Sequence, residues 1–273
     1  MIGSAPDRHG AAGTSRMMTL PRNMLLMTAT IAPENSPELA RTDPAQRLHD
    51  YEQALDFYLT LLGDSVHGII FVENSDSDIS SLRALVLRRN AADQVEFLAN
   101  YGRHCFPGRD RSYGEFKLLD HAMVNSRLIA AEADVIVWKV TGRYQVRNLL
   151  KVIRTAPKHF DIYCDLRSHP IPWMDLRLMA WTRAGYATVF EGVADRLGVD
   201  PREPVMRRYL PQRAGDARIV PSFHIEPLIE GHRGWDNRPY SRGIGRLKYC
   251  ARVIARMIMP RRVLKEADQA PDA

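Results

Sequence analysis

Short apolar runs alternate with helix-spaced apolar stripes along the first part of the chain, to about residue 155. Met24 to Ile31 is an apolar run that closes on Thr28 and Thr30, and it predicts a central first strand. Leu48, Tyr51, Leu55, Tyr58 and Leu62 then recur at steps of three and four, which puts them on one face of a helix. Asp43 caps that helix, Pro44 takes its first position, where a missing N–H is harmless, and Gly63-Asp64 ends it. Gly68 to Ser75 predicts a second strand, Ile79 to Arg88 a helix, and Val95 to Ala99 a third strand. A loop from Gly102 to Ser112 carries Arg103, Arg109 and Arg111. It leads through Tyr113-Gly114-Glu115 into a helix ending near Ile129. Val135 to Val140 is β-branched and aromatic and too short for a helix, so it predicts a buried strand, with a helix over Val146 to Ile153 after it. Alternation of this kind predicts an α/β fold built on a mainly parallel sheet flanked by helices.

The pattern loosens beyond that point. Phe160 to Leu166 and Leu176 to Trp181 read as strands on either side of the rigid His169-Pro170-Ile171-Pro172 turn. Asp200-Pro201 to Tyr209 reads as a helix, and Pro221 to Tyr240 as a loop-rich stretch containing Gly231, Gly234 and Trp235. No internal repeat and no linker divides the chain, so a single domain over residues 24–245 is expected. Residues 1–23 are expected to be a disordered leader, with Met17, Met18 and Met24 as alternative initiators, and residues 266–273 a disordered tail. Residues 246–265 form the last element, a basic amphipathic helix. Leu247, Cys250, Ala251, Ile254, Met257 and Ile258 share one face of it, and Lys248, Arg252 and Arg256 lie elsewhere. Arg261, Arg262 and Lys265 extend the positive charge. Two arrangements are open: the helix lies on anionic lipid, or it packs its apolar face on the body with a solvated basic side.

Composition narrows the class without choosing a function. The chain has 273 residues, 45% hydrophobic and 26% charged, which is ordinary for a globular protein. Nowhere do the roughly 18 consecutive apolar residues of a membrane-spanning helix occur. Cys105, Cys164 and Cys250 are odd in number and widely spaced, which argues against a disulfide scaffold or a zinc site and fits a reducing cytosol. A net charge of +6 admits nucleic acid, anionic lipid or phosphorylated ligands.

The sequence lacks the GxxxxGK[ST] phosphate loop, a GxGxxG after a strand, HExxH and GxSxG. What it has is polar residues recurring at strand ends: Thr28 and Thr30, Glu73 and Asn74, then Lys139, Thr141 and Arg143. In open α/β sheets the crevice beyond the carboxyl ends of the strands is where ligands bind. Lys139 and Arg143 around Gly142 suit an anion such as a diphosphate, because arginine offers a planar donor fork and lysine a point charge.

Five blocks in order resemble a known group: Leu25 to Pro33, Ala40 to Pro44 with Arg47 and Tyr51, Phe71 to Ser75, Tyr113-Gly114-Glu115, and Lys139 to Tyr144. Together they look like bacterial glycosyltransferases encoded with surface-polysaccharide (capsule or O-antigen) genes, of the GT-A type. The Gly231 to Tyr240 stretch and the basic end at Met259 to Arg262 are similar too. The resemblance implies a Rossmann-like mixed sheet and a donor nucleotide along the first strand ends, contacted by Thr28, Thr30, Arg41, Asn74 and Glu115. Lys139-Val140-Thr141-Gly142-Arg143 falls where related enzymes carry an acidic DxD motif for a divalent metal. Lys139, Thr141 and Arg143 would then bind the diphosphate directly, the charge developing on the leaving group being stabilised by cations in place of metal. No metal ligand and no cofactor are assigned. Mn²⁺ or Mg²⁺ held by Asp161 or Asp165 stays open as an alternative.

Transfer with inversion also requires a base for the acceptor hydroxyl. By chain order the resemblance implies Glu203, with Asp175 and Glu226 next. Asp175 is alternatively an acceptor-positioning residue, and Glu203 alternatively the return arm of a capping box begun at Asp200. Trp173 and Trp235 are candidates to stack on sugar faces, or to pack in the core. The resulting expectation is a cytoplasmic enzyme at the inner membrane face. It would move sugar from a nucleoside diphosphate, UDP being commonest among similar enzymes, to a lipid-linked or oligosaccharide acceptor, with no nucleic-acid partner. The rival readings are a basic nucleic-acid-binding module, a nucleotidyltransferase on a similar sheet, and a catalytically dead scaffold.

Overall fold

Eight residues, Arg22–Ala29 (β1), form an interior strand of a seven-stranded sheet whose order is β10-β6-β9-β4-β1-β2-β3. The structure is a computed structural model and describes residues 20–33, 39–99, 108–168, 171–240 and 243–258. The tail over 266–273 and residues 1–19 of the leader lie outside these. Among the described residues, α1 (Pro44–Leu59), β2 (Gly68–Glu73), α2 (Ser80–Arg88), β3 (Val95–Leu98) and α3 (Arg111–Asn125) follow β1. Next come α4 (Arg127–Ala130), β4 (Val135–Thr141), β5 (Gln145–Val146), α5 (Leu149–Arg154), β6 (Ile162–Tyr163) and β7 (Leu166–Arg167). The chain continues through β8 (Trp173–Met174), β9 (Leu178–Thr182), α6 (Arg183–Gly185), a π-helical turn at Tyr186–Phe190 and α7 (Val193–Arg196). α8 (Glu203–Gln212), β10 (Ile219–Val220), β11 (Ile229–Glu230) and α9 (Ile244–Ile258) complete it.

β4, β1, β2 and β3 are parallel neighbours, whereas β9 runs antiparallel to both β4 and β6. The sheet is therefore mixed and mainly parallel, as expected. Alternation along β1 divides the core: Leu25, Met27 and Ala29 face α1, α2 and α5, and Met24 and Leu26 face α3, α4 and the segment from Tyr186 to Ala194. With helices on both faces, β1 and β2 read as continuous apolar runs.

Several boundaries move for identifiable reasons. β1 begins at Arg22, inside the expected leader, because Arg22 pairs with Val135 of β4. Asp43 caps α1 as expected, accepting from Gln46 N at 3.0 Å. The helix expected to run to Ile129 breaks at Ser126. There the buried Glu96 of β3 accepts from Ser126 Oγ (2.7 Å) and from the N–H groups of Arg127 and Leu128, serving a new helix start. α8 begins at Glu203, not Asp200. Asp200 instead accepts from Asp110 N at 3.0 Å and pairs with Arg109 at 3.2 Å, so Glu203 makes no capping-box return bond.

α9 corrects one of the two arrangements left open. Arg252 and Arg256 of its basic side turn to the body, while Lys248 stays exposed: Arg256 pairs with Asp165 (2.9 Å) and Glu226 (2.5 Å), and Arg252 also pairs with Glu226. Its apolar side faces outward.

Candidate functional site

β1, β2 and β4 end side by side at Ala29, Glu73 and Thr141, with register pairs Ala29–Glu73 and Thr28–Thr141. α3 brings Glu115, in its second turn, over this edge. Asp110 caps the helix by accepting from Ser112 N at 2.9 Å, and Glu115 lies within the helix, not in a turn before it. Glu115 Oε1 receives the Lys139 ammonium at 2.5 Å and the hydroxyls of Thr28 (3.0 Å) and Thr141 (3.4 Å). Its Oε2 has no partner among the described residues, and the side chain is 22% exposed. The result is one carboxylate, fixed by three protein groups, with one oxygen open at the strand ends.

Lys139 differs from expectation. It is fully buried, and its ammonium is directed at Glu115, Leu176 O and Thr141 Oγ1. An ammonium has three donors, and three acceptors already meet it. In this arrangement it orients Glu115 and presents no proton to a ligand.

Thr30 lies just past β1. Its hydroxyl donates to Asn74 Oδ1 at 2.7 Å, its N–H to Tyr51 Oη at 2.9 Å, and its carbonyl accepts from Arg47. The next two N–H groups, of Ile31 and Ala32, reach Ser75 Oγ at 3.0 and 2.9 Å, which staples the turn after β1 to the end of β2. Arg41 grips Asp50 with both arms of its guanidinium, at 2.5 and 2.7 Å, and donates to Asn237 Oδ1 at 2.8 Å. Arg143 approaches the same Asp50 at 3.8 Å and stacks over Tyr144. Its Nε is buried without a partner among the described residues. Asp50 and Arg143 line one cleft of about 340 Å³ with His232 and Gly231. Gly142 allows the approach of this turn to β1: its N–H donates to Thr28 O at 2.9 Å, and a Cβ there would lie 2.7 Å from that oxygen.

The three carboxylates considered as bases are differently placed. Asp175 is buried. Its oxygens accept from Arg177 N (3.1 Å), Arg177 Nε (2.8 Å), Arg177 Nη2 and Arg167 Nη2 (2.8 Å). Burial alone would raise its pKa, but the Arg177 and Arg167 guanidiniums hold it well below the usual carboxylate range. Neither oxygen is available to take a proton, so the structure gives Asp175 a structural place. Glu226 is buried under Arg252 and Arg256 and belongs to the docking of α9. Among the described residues Glu203 makes only a loose 3.8 Å pair with Arg111, and its side chain is 28% exposed.

Trp173 stacks against Arg167, and Trp235, 56% exposed, lies against Arg233. Asp161 accepts from Arg218 N at 2.8 Å and from Thr182 Oγ1 at 3.3 Å, while Asp165 pairs with Arg167 and Arg256. No three carboxylate, imidazole or thiol side chains converge for a metal among the described residues.

Sequence reasoning missed Asp50 and the Glu115–Lys139 pairing. A signal for Asp50 exists: Arg47 and Asp50 sit at helical spacing on the same side of α1 as Tyr51, Ala54 and Tyr58, two charges on an otherwise apolar face. The second had none, since Glu115 and Lys139 are joined only by the fold.

No protein-family model matches the chain, and no curated protein matches it. Among solved structures, one similar chain is described as a nucleotide-diphospho-sugar transferase from Desulfovibrio desulfuricans G20. It is 14% identical over 74% of this chain and 80% of that one, with a TM-score of 0.43. A 4-diphosphocytidyl-2C-methyl-D-erythritol synthase from Anaerococcus prevotii is 10% identical over 86% and 96%, with a TM-score of 0.42. A cytidylyltransferase from Leptospira borgpetersenii is 9% identical over 72% and 71%, with a TM-score of 0.35. Likeness this distant assigns no activity, and the architecture of this chain rests on its own strand pairing.

Proposed function

We propose that this protein is a glycosyltransferase that takes a sugar from a nucleoside diphosphate, UDP favoured, and passes it to a saccharide acceptor of a cell-surface polysaccharide. The observation that carries the reading is Glu115, a carboxylate fixed by Lys139, Thr28 and Thr141 at the carboxyl ends of parallel strands with Oε2 open. A nucleotide sugar carries vicinal hydroxyls, and an oriented carboxylate oxygen is their natural acceptor. The arginine cluster supplies the opposite requirement. Arg143, with a buried Nε lacking a partner among the described residues, suits the diphosphate, and Arg41 beside it holds Asp50. Thr30 and Asn74 lie at the neighbouring strand ends for the base and ribose.

In the proposed reaction the acceptor oxygen attacks the anomeric carbon and the bond from that carbon to the diphosphate breaks. The acceptor proton passes to Glu203, and the electron pair leaves on the nucleoside diphosphate. Glu203 is the choice because Asp175 and Glu226 have their oxygens engaged by guanidinium groups. A divalent metal on the diphosphate is compatible with this scheme and is one arm of the test.

Calorimetric titration of the full chain with UDP, GDP and CMP, each with and without Mn²⁺, tests the reading. Binding of one nucleotide that Glu115→Gln weakens supports it. Binding confined to the metal arm keeps the transferase and removes the direct role of Arg143. Pyrophosphate release from a nucleoside triphosphate and a sugar phosphate would make it a nucleotidyltransferase. Binding of none overturns the proposal, and tight, steeply salt-dependent binding of random DNA would replace it.

A further inference from the structure

α9 carries its chemistry inside out. Leu247, Ile254, Met257 and Ile258 are 71%, 58%, 79% and 78% exposed, and Cys250 and Ala251 between them are exposed as well. Steps of three and four join the six into one stripe on a 3.6-residue helix. The opposite side carries Arg252 and Arg256, and buried carboxylates hold it down. Arg256 engages Asp165, Glu226, Ser222 Oγ (2.6 Å) and Phe223 O (3.0 Å), so the helix cannot roll its stripe inward without abandoning these partners.

We infer that this stripe is a docking surface for an anionic lipid bilayer, with α9 lying in the plane of the interface. Exposed Arg246 and Lys248 flank the stripe on its two sides, where long cationic side chains reach phosphate headgroups while their stems lie along the apolar surface. In sequence, Arg261, Arg262 and Lys265 follow and add to the positive charge. A second copy of the chain is the poorer occupant. α9 contains no acidic residue, so two such faces brought together would oppose like charges along both rims. No helix among the described residues is long and apolar enough to cross a membrane, so the contact is peripheral. α9 also walls a cleft of about 600 Å³ whose lining includes Arg177 and Tyr240. Arg177 O accepts the Thr141 N–H at 3.0 Å, so this cleft adjoins the strand end that carries the candidate site. The docking surface does not depend on the transferase reading.

Co-sedimentation of the full chain with vesicles tests it. Vesicles of phosphatidylcholine with phosphatidylglycerol are expected to bind at least about tenfold more strongly than phosphatidylcholine alone, and the excess to fall at high salt. The double variant Ile254→Glu/Met257→Glu is expected to lose about tenfold or more of that binding while its circular dichroism and melting stay unchanged, since both side chains are exposed. Leu87→Glu on α2, another exposed apolar position, is the control and is expected to bind as the unaltered chain does. Absence of binding to anionic vesicles, or binding indifferent to the double variant, overturns the inference. So does a dimer in sedimentation velocity that the double variant dissociates. Nucleotide titration is a separate readout, so either proposal can fail while the other stands.

Discussion

The Lys139 ammonium lies 2.5 Å from Glu115 Oε1, yet the lysine is fully buried and the glutamate is 22% exposed. The two are therefore unequal when either is removed. Glu115→Ala would leave a charge in the interior with only Leu176 O and Thr141 Oγ1 as partners, and a loss of about 3 kcal/mol is expected. Lys139→Met would leave a carboxylate that keeps two hydroxyl donors and reaches water, so a loss of about 1–2 kcal/mol is expected. Urea unfolding of both variants gives the order. A larger loss for Lys139→Met would mean that the lysine stem, not the charge pair, is what the site needs.

Gly142 is required by proximity, not by its backbone angles. An added Cβ would meet Thr28 O at 2.7 Å and Tyr51 Cε1 at 3.2 Å, and both belong to elements that cannot retreat easily. Gly142→Ala is expected to cost about 1–3 kcal/mol as overpacking. Because Arg143 follows directly, nucleotide affinity is expected to fall with it. Chemical denaturation and titration on one preparation check both effects.

The first half of the fold was legible because each element carries its own signal. Asp43-Pro44 marks the start of α1, and the runs at Met24, Gly68, Val95 and Val135 place the parallel strands to within two residues. The second half was legible only in part: Leu176 to Trp181 contains most of β9, and α8 and α9 fall near their expected positions. β5, β6, β7, β8, β10 and β11 are two residues each, too short to display alternation, and their pairing is set by distant partners such as Ile162 with Ile219. The candidate site shows the same division. Strand-end positions were readable at Thr28, Asn74 and Thr141, but which charges would be neutralised was not. Arg256 meets Asp165 across 91 positions of sequence, and that contact turns α9 over.

Acid stability is expected to depend on Asp175. Its folded pKa lies well below the unfolded value of about 3.9, because Arg177 and Arg167 outweigh the effect of burial. Between those two values the unfolded chain binds the extra proton. Stability from this group is therefore fully present above about pH 4 and is lost as pH falls further. Glu96 acts in the same direction: burial raises its pKa, but its hydrogen bonds from Ser126, Arg127 and Leu128 pull it down overall. The slope contributed by one such group is about 1.4 kcal/mol per pH unit. Asp175→Asn is expected to be less stable at pH 7 and to show a shallower acid limb below pH 4 in melts taken across pH. An unchanged limb would locate the acid response elsewhere.

Arg143 and Glu203 are expected to fail in different ways. Arg143 lines the cleft with a buried Nε that lacks a partner among the described residues, so Arg143→Ala is expected to weaken nucleotide binding about tenfold or more. Arg143→Lys is not expected to restore it, because an ammonium does not reproduce a planar fork. Glu203 sits at the start of α8, with one loose partner, and takes no part in the Glu115 cluster. Glu203→Gln is expected to leave the nucleotide Kd unchanged and to lower kcat about a hundredfold, the loss typical of a missing general base. Titration and turnover measured on the same two variants separate the roles. If Glu203→Gln retains full kcat, proton transfer belongs to another group, and the open Oε2 of Glu115 is the next to test.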